Sequence, residues 1–344
     1  MAMKRPPIGT VLVTGGAGYV GCVLVPRLLE AGYRVIVYDL MLFGADGLAA
    51  HPNLTVIAGD IRDTAAFARA VAGAQAVIHL ACISNDPSYE LDPSLSRSIN
   101  YECFEPLVAA SQAAGVRRFI YASSSSVYGV SEEPEVTETF PLKPLTDYSK
   151  YKGLCELLLL KHHSPEFTTV VIRPATVCGP SPRMRFDLTV NILTNHAVNH
   201  RLITVFGGSQ LRPNIHISDV AELYLKLLEW PDALIAAQTF NVGYQNCAVS
   251  ELAEMVRGVV EQELPGEPIR IETSPSNDLR SYHVSSKKIA RVLGFRLRRT
   301  IQEAVRDLCH AFKAGRFPNS LTDDRYYNVR ALKAHMARGV LEPT

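Results

Sequence analysis

No stretch of the 344 residues approaches the roughly 20 apolar positions of a membrane-spanning helix. The apolar run after Lys4 and Arg5 ends at Thr14-Gly15-Gly16, too soon for the core of a secretory signal. Nor is there an excess of one charge: 35 Lys and Arg stand against 34 Asp and Glu, a net of +1. Nucleic-acid-binding surfaces carry a basic excess, so neither nucleic acid nor membrane is expected as a partner. There is no C-x-x-C pair. The seven cysteines (Cys22, Cys82, Cys103, Cys155, Cys178, Cys247 and Cys309) are scattered and odd in number. That is the pattern of reduced thiols in the cytoplasm, not of a disulfide framework or a zinc site. His196 and His200 share a helix face but have no third ligand near in sequence, so no metal is expected. Internal repeats and low-complexity tracts are absent as well.

What is present is material for a core, since 47% of the residues are hydrophobic. From Thr10 to about Ile172, short β-branched runs alternate with helical patterns. Strands are expected at Thr10–Thr14, Arg34–Tyr38, Leu54–Ile57, Ala76–Leu80, Arg118–Ala122 and Thr168–Ile172. Most are apolar throughout, as strands buried on both faces of a parallel sheet must be. Helices are expected at Tyr19–Ala31, Thr64–Val71, Leu95–Ala114 and Asp147–Lys161. Repeated β-α-β units with right-handed crossovers give an α/β fold with a doubly wound parallel sheet. After Gly179 the alternation breaks at a basic loop holding Arg183 and Arg185. Residues 1–179 are therefore read as the sheet domain and 180–344 as a smaller C-terminal lobe, with an exchange of elements between the two left open. The tail from Phe317 onward is polar and aromatic by turns and suggests no role.

Gly15-Gly16-Ala17-Gly18-Tyr19-Val20-Gly21 follows the first strand and opens a helix. Glycines at these places allow a tight turn, a close approach of backbone to a pyrophosphate, and close packing of helix on strand. The helix N-terminus then offers N–H groups and partial positive charge to phosphates. At the first strand of an alternating pattern, this is the turn of a Rossmann dinucleotide site, with Gly15, Gly18, Tyr19 and Val20 against the cofactor. Asp39 ends the second strand, 24 residues after Gly15. A carboxylate there accepts from the adenosine ribose hydroxyls and repels a 2′-phosphate, and Leu40–Gly47 contains no Lys or Arg. Both facts point to NAD.

Tyr148 and Lys152 lie four apart at the start of an expected helix and so share a face. A phenol titrates near pH 10. Making it a base at neutral pH needs about 4 kcal/mol, within reach of a nearby ammonium and a cationic nicotinamide. A Y-x-x-x-K on a helix can equally be a surface pair. Here Ser123-Ser124-Ser125-Ser126-Val127-Tyr128-Gly129 stands at the carboxyl end of the fifth strand, the edge where ligands of open parallel sheets bind. A serine there can hold a substrate hydroxyl against the tyrosine.

With these motifs the chain resembles the extended short-chain dehydrogenases, and within them the NAD-dependent epimerase/dehydratase family acting on nucleotide sugars. The resemblance rests on the glycine turn, the serine segment, Tyr148/Lys152 followed by Glu156, and Ile172-Arg173-Pro174, and spans residues 10 to about 315. It implies that Ser124 takes the catalytic Ser/Thr place, that Tyr148 is the acid/base, and that Lys152 also holds the nicotinamide ribose. Asp60 and Ile61 would border the adenine, and Leu80 and Ala81 the nicotinamide. Asn191, Arg212 and Arg280 fall where relatives hold the nucleotide diphosphate. The second lobe is thereby the substrate-binding lobe.

Departures narrow the chemistry. Ser125 and Ser126 stand where 4,6-dehydratases of the family have Asp-Glu, so the usual carriers for water elimination are missing. Decarboxylases of the family also usually carry a Glu there. Thr176 replaces a common Asn and Cys178 a frequent Tyr. The expected activity is a nucleotide-sugar epimerase working through transient oxidation at sugar C4. The alternatives are a 4-dehydrogenase or ketoreductase that releases a keto sugar, and a catalytically silent NAD-sensing regulator. Assembly is expected as well. Leu157-Leu158-Leu159-Leu160 covers every side of one helical turn, so this helix needs a second cover besides its own sheet. Together with Leu95–Ala114 it would form the four-helix seam of a C₂ homodimer, as family relatives commonly do. The tail folding back over the leucines is the rival cover.

Overall fold

The structure is a computed structural model and describes residues 8–131, 133, 135–276, 281 and 283–341. The first lobe follows the expected alternation. It runs β1 (Thr10–Thr14), α1 (Gly21–Glu30), β2 (Arg34–Asp39), β3 (Leu54–Ala58), α2 (Thr64–Val71) and β4 (Ala76–His79). Two short helices, α3 (Asp86–Tyr89) and α4 (Pro93–Arg97), precede a π-helical turn at Ser98–Glu102 and α5 (Phe104–Ala113). Then come β5 (Arg118–Ala122), α6 (Asp147–Lys161), β6 (Thr168–Pro174) and β7 (Thr176–Cys178). The second lobe contributes α7 (Thr189–His200), β8 (Leu202–Phe206), β9 (Leu211–His216), α8 (Ile217–Glu229), α9 (Asp232–Ile235) and β10 (Gln238–Val242). It ends with β11 (Gln245–Ala248), α10 (Val249–Glu263), β12 (Arg270–Ser274), α11 (Lys287–Leu293), α12 (Ile301–Lys313) and α13 (Asn328–Ala337).

The central sheet has seven parallel strands in the order β3-β2-β1-β4-β5-β6-β10. Its middle strands are buried along their length, β1 and β4 at every residue. β3 lies at the edge and is half open, which suits its Thr55. The seventh strand, β10, comes from the second lobe and pairs in register with β6 from Gln238↔Val170 to Val242↔Pro174. The order of strands reverses beside β1, between β2 and β4, so the carboxyl ends there leave a crevice for a ligand.

Local signals explain the element ends. Asp63 caps α2 through Ala66 N at 2.9 Å, and Thr146 caps α6 through Ser149 N at 3.3 Å. The single helix expected over Leu95–Ala114 does not form. The π-helical turn interrupts it and carries buried Asn100 to the loop after β4. There Asn100 Oδ1 accepts from Ile83 N at 2.8 Å and Nδ2 donates to Ile83 O at 2.9 Å. Such single-turn π insertions are rare overall and frequent at functional sites.

The tail is part of the core. Phe317, Tyr326 and Tyr327 bury against Met184, Phe186 and Phe312 of the second lobe. Beyond them, Leu332 and Leu341 join the hydrophobic cluster of the first lobe that also holds Leu95, Leu107 and Leu159. Among the four leucines, Leu159 is fully buried and Leu157 is 55% exposed. Among the described residues, no helix is long and apolar enough to cross a membrane.

Candidate active site

The crevice at the strand ends is one continuous cleft, lined from Gly15 and Asp39 at one end to Thr189 and Arg212 at the other. At the first end the turn after β1 is shaped by glycine. Gly15 has φ +71°, its N–H donates to Tyr38 O at 3.1 Å, and a Cβ there would stand 2.7 Å from Ala81 N. No side chain fits that crossing of two strand ends. Asp39 is fixed beside it, accepting from Ala17 N at 3.0 Å and Met41 N at 2.8 Å. Burial pushes its carboxyl up from the usual range, against these two hydrogen bonds. Asp60 and Ile61 also line the cleft, with the Asp60 carboxylate gripped by Arg62 at 2.6 Å.

The floor is Leu80 and Ala81. Beneath them His79 Nδ1 meets Thr14 Oγ1 at 2.8 Å, and Thr14 Oγ1 accepts from Ala81 N at 3.3 Å. Burial, reinforced by the Lys152 charge, holds the His79 pKa down at about 3.

Tyr148, Lys152 and Ser124 all line the cleft. Lys152 is only 4% exposed. Its ammonium donates to Ala122 O at 2.8 Å and lies 6.0 Å from the centre of the Tyr148 ring. Tyr148 and Lys152 therefore do share a face, and the second stands within electrostatic range of the first. Ser124 Oγ meets Ser126 Oγ at 2.9 Å, and Ser149 Oγ donates to Ser126 Oγ at 2.8 Å. Ser125 and Ser126, where the resemblance places the carboxyl pair of a dehydratase, both line the cleft. Behind them Ser123 donates to Glu156, whose carboxylate is paired with Arg173.

The other wall is formed by Thr176 of β7 and, from the second lobe, Arg183, Arg185, Asp187, Leu188, Thr189 and Arg212. Asn191 does not reach the cleft. It is fully buried, with Oδ1 accepting from Gly179 N at 3.0 Å and Nδ2 donating to Tyr19 OH at 3.0 Å and Arg185 O at 2.9 Å. Its carboxamide is spent on positioning Tyr19 and the loop. Arg280 lies outside the described residues. Three contributions escaped the sequence reading: Arg183 and Arg185, seen only as a basic loop; Ser84-Asn85-Asp86 after β4; and Asn328 in the tail. Asn85 has φ +73°, uncommon for a residue with a side chain, and its amide donates to Asp187 at 3.1 Å. Met41, φ +59°, lies between the cleft-lining Leu40 and Leu42 and is a second such residue.

The cleft fits a dinucleotide. A glycine turn opens onto a ten-residue helix, a carboxylate stands at the end of the second strand, and the fifth strand leads to the Ser/Tyr/Lys group. Comparison with known proteins agrees. A model of the NAD dependent epimerase/dehydratase family matches residues 11–243. A UDP-glucose 4-epimerase of Bacillus subtilis (strain 168) is 28% identical over 324 residues, covering 86% of this chain and 95% of that protein. A 3-beta-hydroxysteroid dehydrogenase of Mycolicibacterium neoaurum is 36% identical over 201 residues, 56% of this chain and 54% of that protein. Among solved structures, MoeE5 in complex with UDP-glucose and NAD superposes with a TM-score of 0.77 at 26% identity, covering 89% of this chain and 99% of that one.

Proposed function

The chain belongs to the NAD-dependent epimerase/dehydratase family, and within it we propose a nucleotide-sugar epimerase that acts at sugar C4, a cytoplasmic homodimer. The cofactor is NAD. The observation that carries the reading is that Ser124, Tyr148 and Lys152 line one cleft, with the Lys152 ammonium 6.0 Å from the Tyr148 ring centre and hydroxyls at Ser125 and Ser126. When bound, NAD supplies a reversible hydride acceptor. Tyr148 takes the proton of the C4 hydroxyl and later returns it, while Ser124 hydrogen-bonds the same oxygen. Lys152 favours the phenolate by its charge and contributes to holding the cofactor's ribose. Arg212 grips the diphosphate of the sugar nucleotide, with Arg280 as its sequence-assigned partner; bidentate arginine suits that group. With Ser125 and Ser126 in place of the carboxyl pair that expels water, a C4 ketone formed here either turns over and is reduced on its other face, or leaves.

The second outcome is a dehydrogenase that releases the ketone, and the 36% identity with a hydroxysteroid dehydrogenase over 201 residues favours keeping it. Incubating the protein with UDP-, GDP-, CDP- and dTDP-sugars and reading products by NMR and mass decides between them. A C4 epimer without net NADH is expected. Stoichiometric NADH with a keto product establishes the dehydrogenase, and no turnover of any sugar sinks both.

A further inference from the structure

Arg183 is the most unusual side chain of the cleft outside the Ser/Tyr/Lys group. It is 7% exposed and lines the cleft wall. Its guanidinium lies flat on the first lobe, with its carbon 3.5 Å from the centre of the Phe43 ring. Nη2 donates to Asn328 Oδ1 at 2.5 Å, and buried Nε has no acceptor among the described residues. The carboxylates nearby are committed elsewhere. Asp187 is held by Arg185 at 2.9 Å. Asp39 is held by the backbone of Ala17 and Met41 and acts on Arg183 only through its charge. Burial, and then the neighbouring Arg185 charge, pull the Arg183 pKa down to about 9. A buried cation with an orphaned N–H and only a neutral acceptor is costly unless an anion completes it.

The surroundings say which anion. Ser181, two residues earlier, donates to Tyr19 O at 2.8 Å, tying the loop to the start of α1. Pro182 packs against Gly47, where a Cβ would come within 3.3 Å of it. Arg183 thus stands beside the start of α1, on the side of the cleft that Phe43 and Asp39 line. A helix N-terminus of this kind attracts phosphate. We propose that Arg183 is a ligand of the cofactor's diphosphate, reaching across from the second lobe to close the dinucleotide site that the glycine turn opens. Asn328 positions it. The amide of Asn328 donates to Ser84 Oγ at 2.9 Å while its oxygen holds Arg183, so the tail locks arginine, cleft wall and first lobe together. The inference rests on NAD being the cofactor and is independent of which sugar is processed.

The test is equilibrium binding to protein freed of co-purified nucleotide, with NAD, ADP-ribose, adenosine and UDP as probes. Arg183→Met keeps an unbranched apolar stem in the same position while removing the guanidinium and its charge. It should weaken NAD and ADP-ribose by roughly tenfold to a hundredfold, the loss of a charge-assisted hydrogen bond, and leave adenosine and UDP unchanged. Asn328→Ala should shift the ratio of NAD to adenosine affinity in the same direction by a smaller factor. Unchanged NAD affinity in a folded Arg183→Met overturns the proposal. So does an equal loss of adenosine, or a loss confined to UDP, which would assign the arginine to the substrate. If Arg183→Met does not fold, Asn328→Ala reads the same ratio, and an unchanged ratio there overturns it as well. A failure here leaves the epimerase reading standing, because turnover is measured separately.

Discussion

Glu156 and Arg173 form a buried ion pair, 2.6 Å between Oε2 and Nη2, directly behind the serines of the cleft floor. The pair joins α6, which carries Tyr148 and Lys152, to β6, and Ser123 donates to the same carboxylate. Burial pulls the Arg173 pKa down, but Glu156 more than offsets it and the guanidinium ends above its ordinary value. Arg173 also donates to Tyr128 OH at 2.6 Å, and Tyr128 donates to Asn241 of β10 at 2.7 Å.

Removing one partner strands the other charge in the core. Glu156→Gln is expected to destabilise the fold by about 3–5 kcal/mol, the range for breaking a buried pair. Denaturant unfolding measures it, and a loss under 1 kcal/mol would show that the network is dispensable.

Tyr148→Phe should leave NAD affinity nearly unchanged and cut turnover by at least 10²–10⁴-fold, since a general base is lost and the ring remains. Isothermal titration and product assays check the two halves. A variant keeping a tenth of wild-type activity removes Tyr148 from the proposed chemistry.

Cofactor choice follows from the rigidity of Asp39. Its two oxygens are held by Ala17 N and Met41 N, so it cannot swing away from a 2′-phosphate. NAD is expected to bind far more tightly than NADP, and Asp39→Asn to narrow the gap by weakening NAD. Equal affinities in the wild-type protein would contradict this.

The glycine turn, Asp39 and the Tyr148/Lys152 pair were legible because each is a local pattern: spacing alone places it on a turn, a strand end or a helix face. Six of the sheet's seven strands were legible for the same reason, with α2 and α6; the seventh, β10, enters from the second lobe, far along the chain. Asn191 misled because residue spacing cannot tell the inward face of α7 from the cleft rim one turn earlier, where Leu188 and Thr189 stand. The break in the helix after Pro93 exists to bring Asn100 to Ile83, 17 positions back, and no local propensity encodes that. Ser84, Arg183 and Asn328 converge from three distant segments, so their common site exists only once the tail has folded back.

His79 should make stability depend on pH. Its pKa falls from 6.5 to about 3 on folding, because burial disfavours the charged ring and Lys152 adds to it. Above pH 6.5 the group is neutral in both states and contributes nothing to the slope. Below it the unfolded chain binds a proton that the folded one refuses, so stability is lost as pH falls toward 3. Between pH 6.5 and 5 the loss is about 2 kcal/mol. His79→Gln cannot titrate and should flatten that part of the profile, whatever its effect at pH 7. Parallel profiles of the two proteins would exclude His79 as the source.

The assembly prediction concerns the outer face of α6. Leu159 is fully buried in the monomer, but Leu157 is 55% exposed, and Leu158 and Leu160 are only partly covered. The tail does return to this side of the molecule, where Leu332, Leu341 and Met336 join the cluster that holds Leu159, yet it leaves Leu157 open. Tyr151 lies on the same helix, stacked near Tyr89 and 5.0 Å from Tyr101 of the π-helical turn. Leucine and tyrosine together make an apolar strip along α6 and the broken helix beside it. Covering an exposed leucine contributes about 1.5–3 kcal/mol, so a two-fold seam that repeats the strip is favourable. A homodimer of twice the chain mass is expected by light scattering at micromolar concentration, and Leu157→Arg should shift it toward monomer without lowering the melting temperature of the fold. A monomer in the wild-type protein, or a dimer indifferent to Leu157→Arg, would move the interface elsewhere or abolish it.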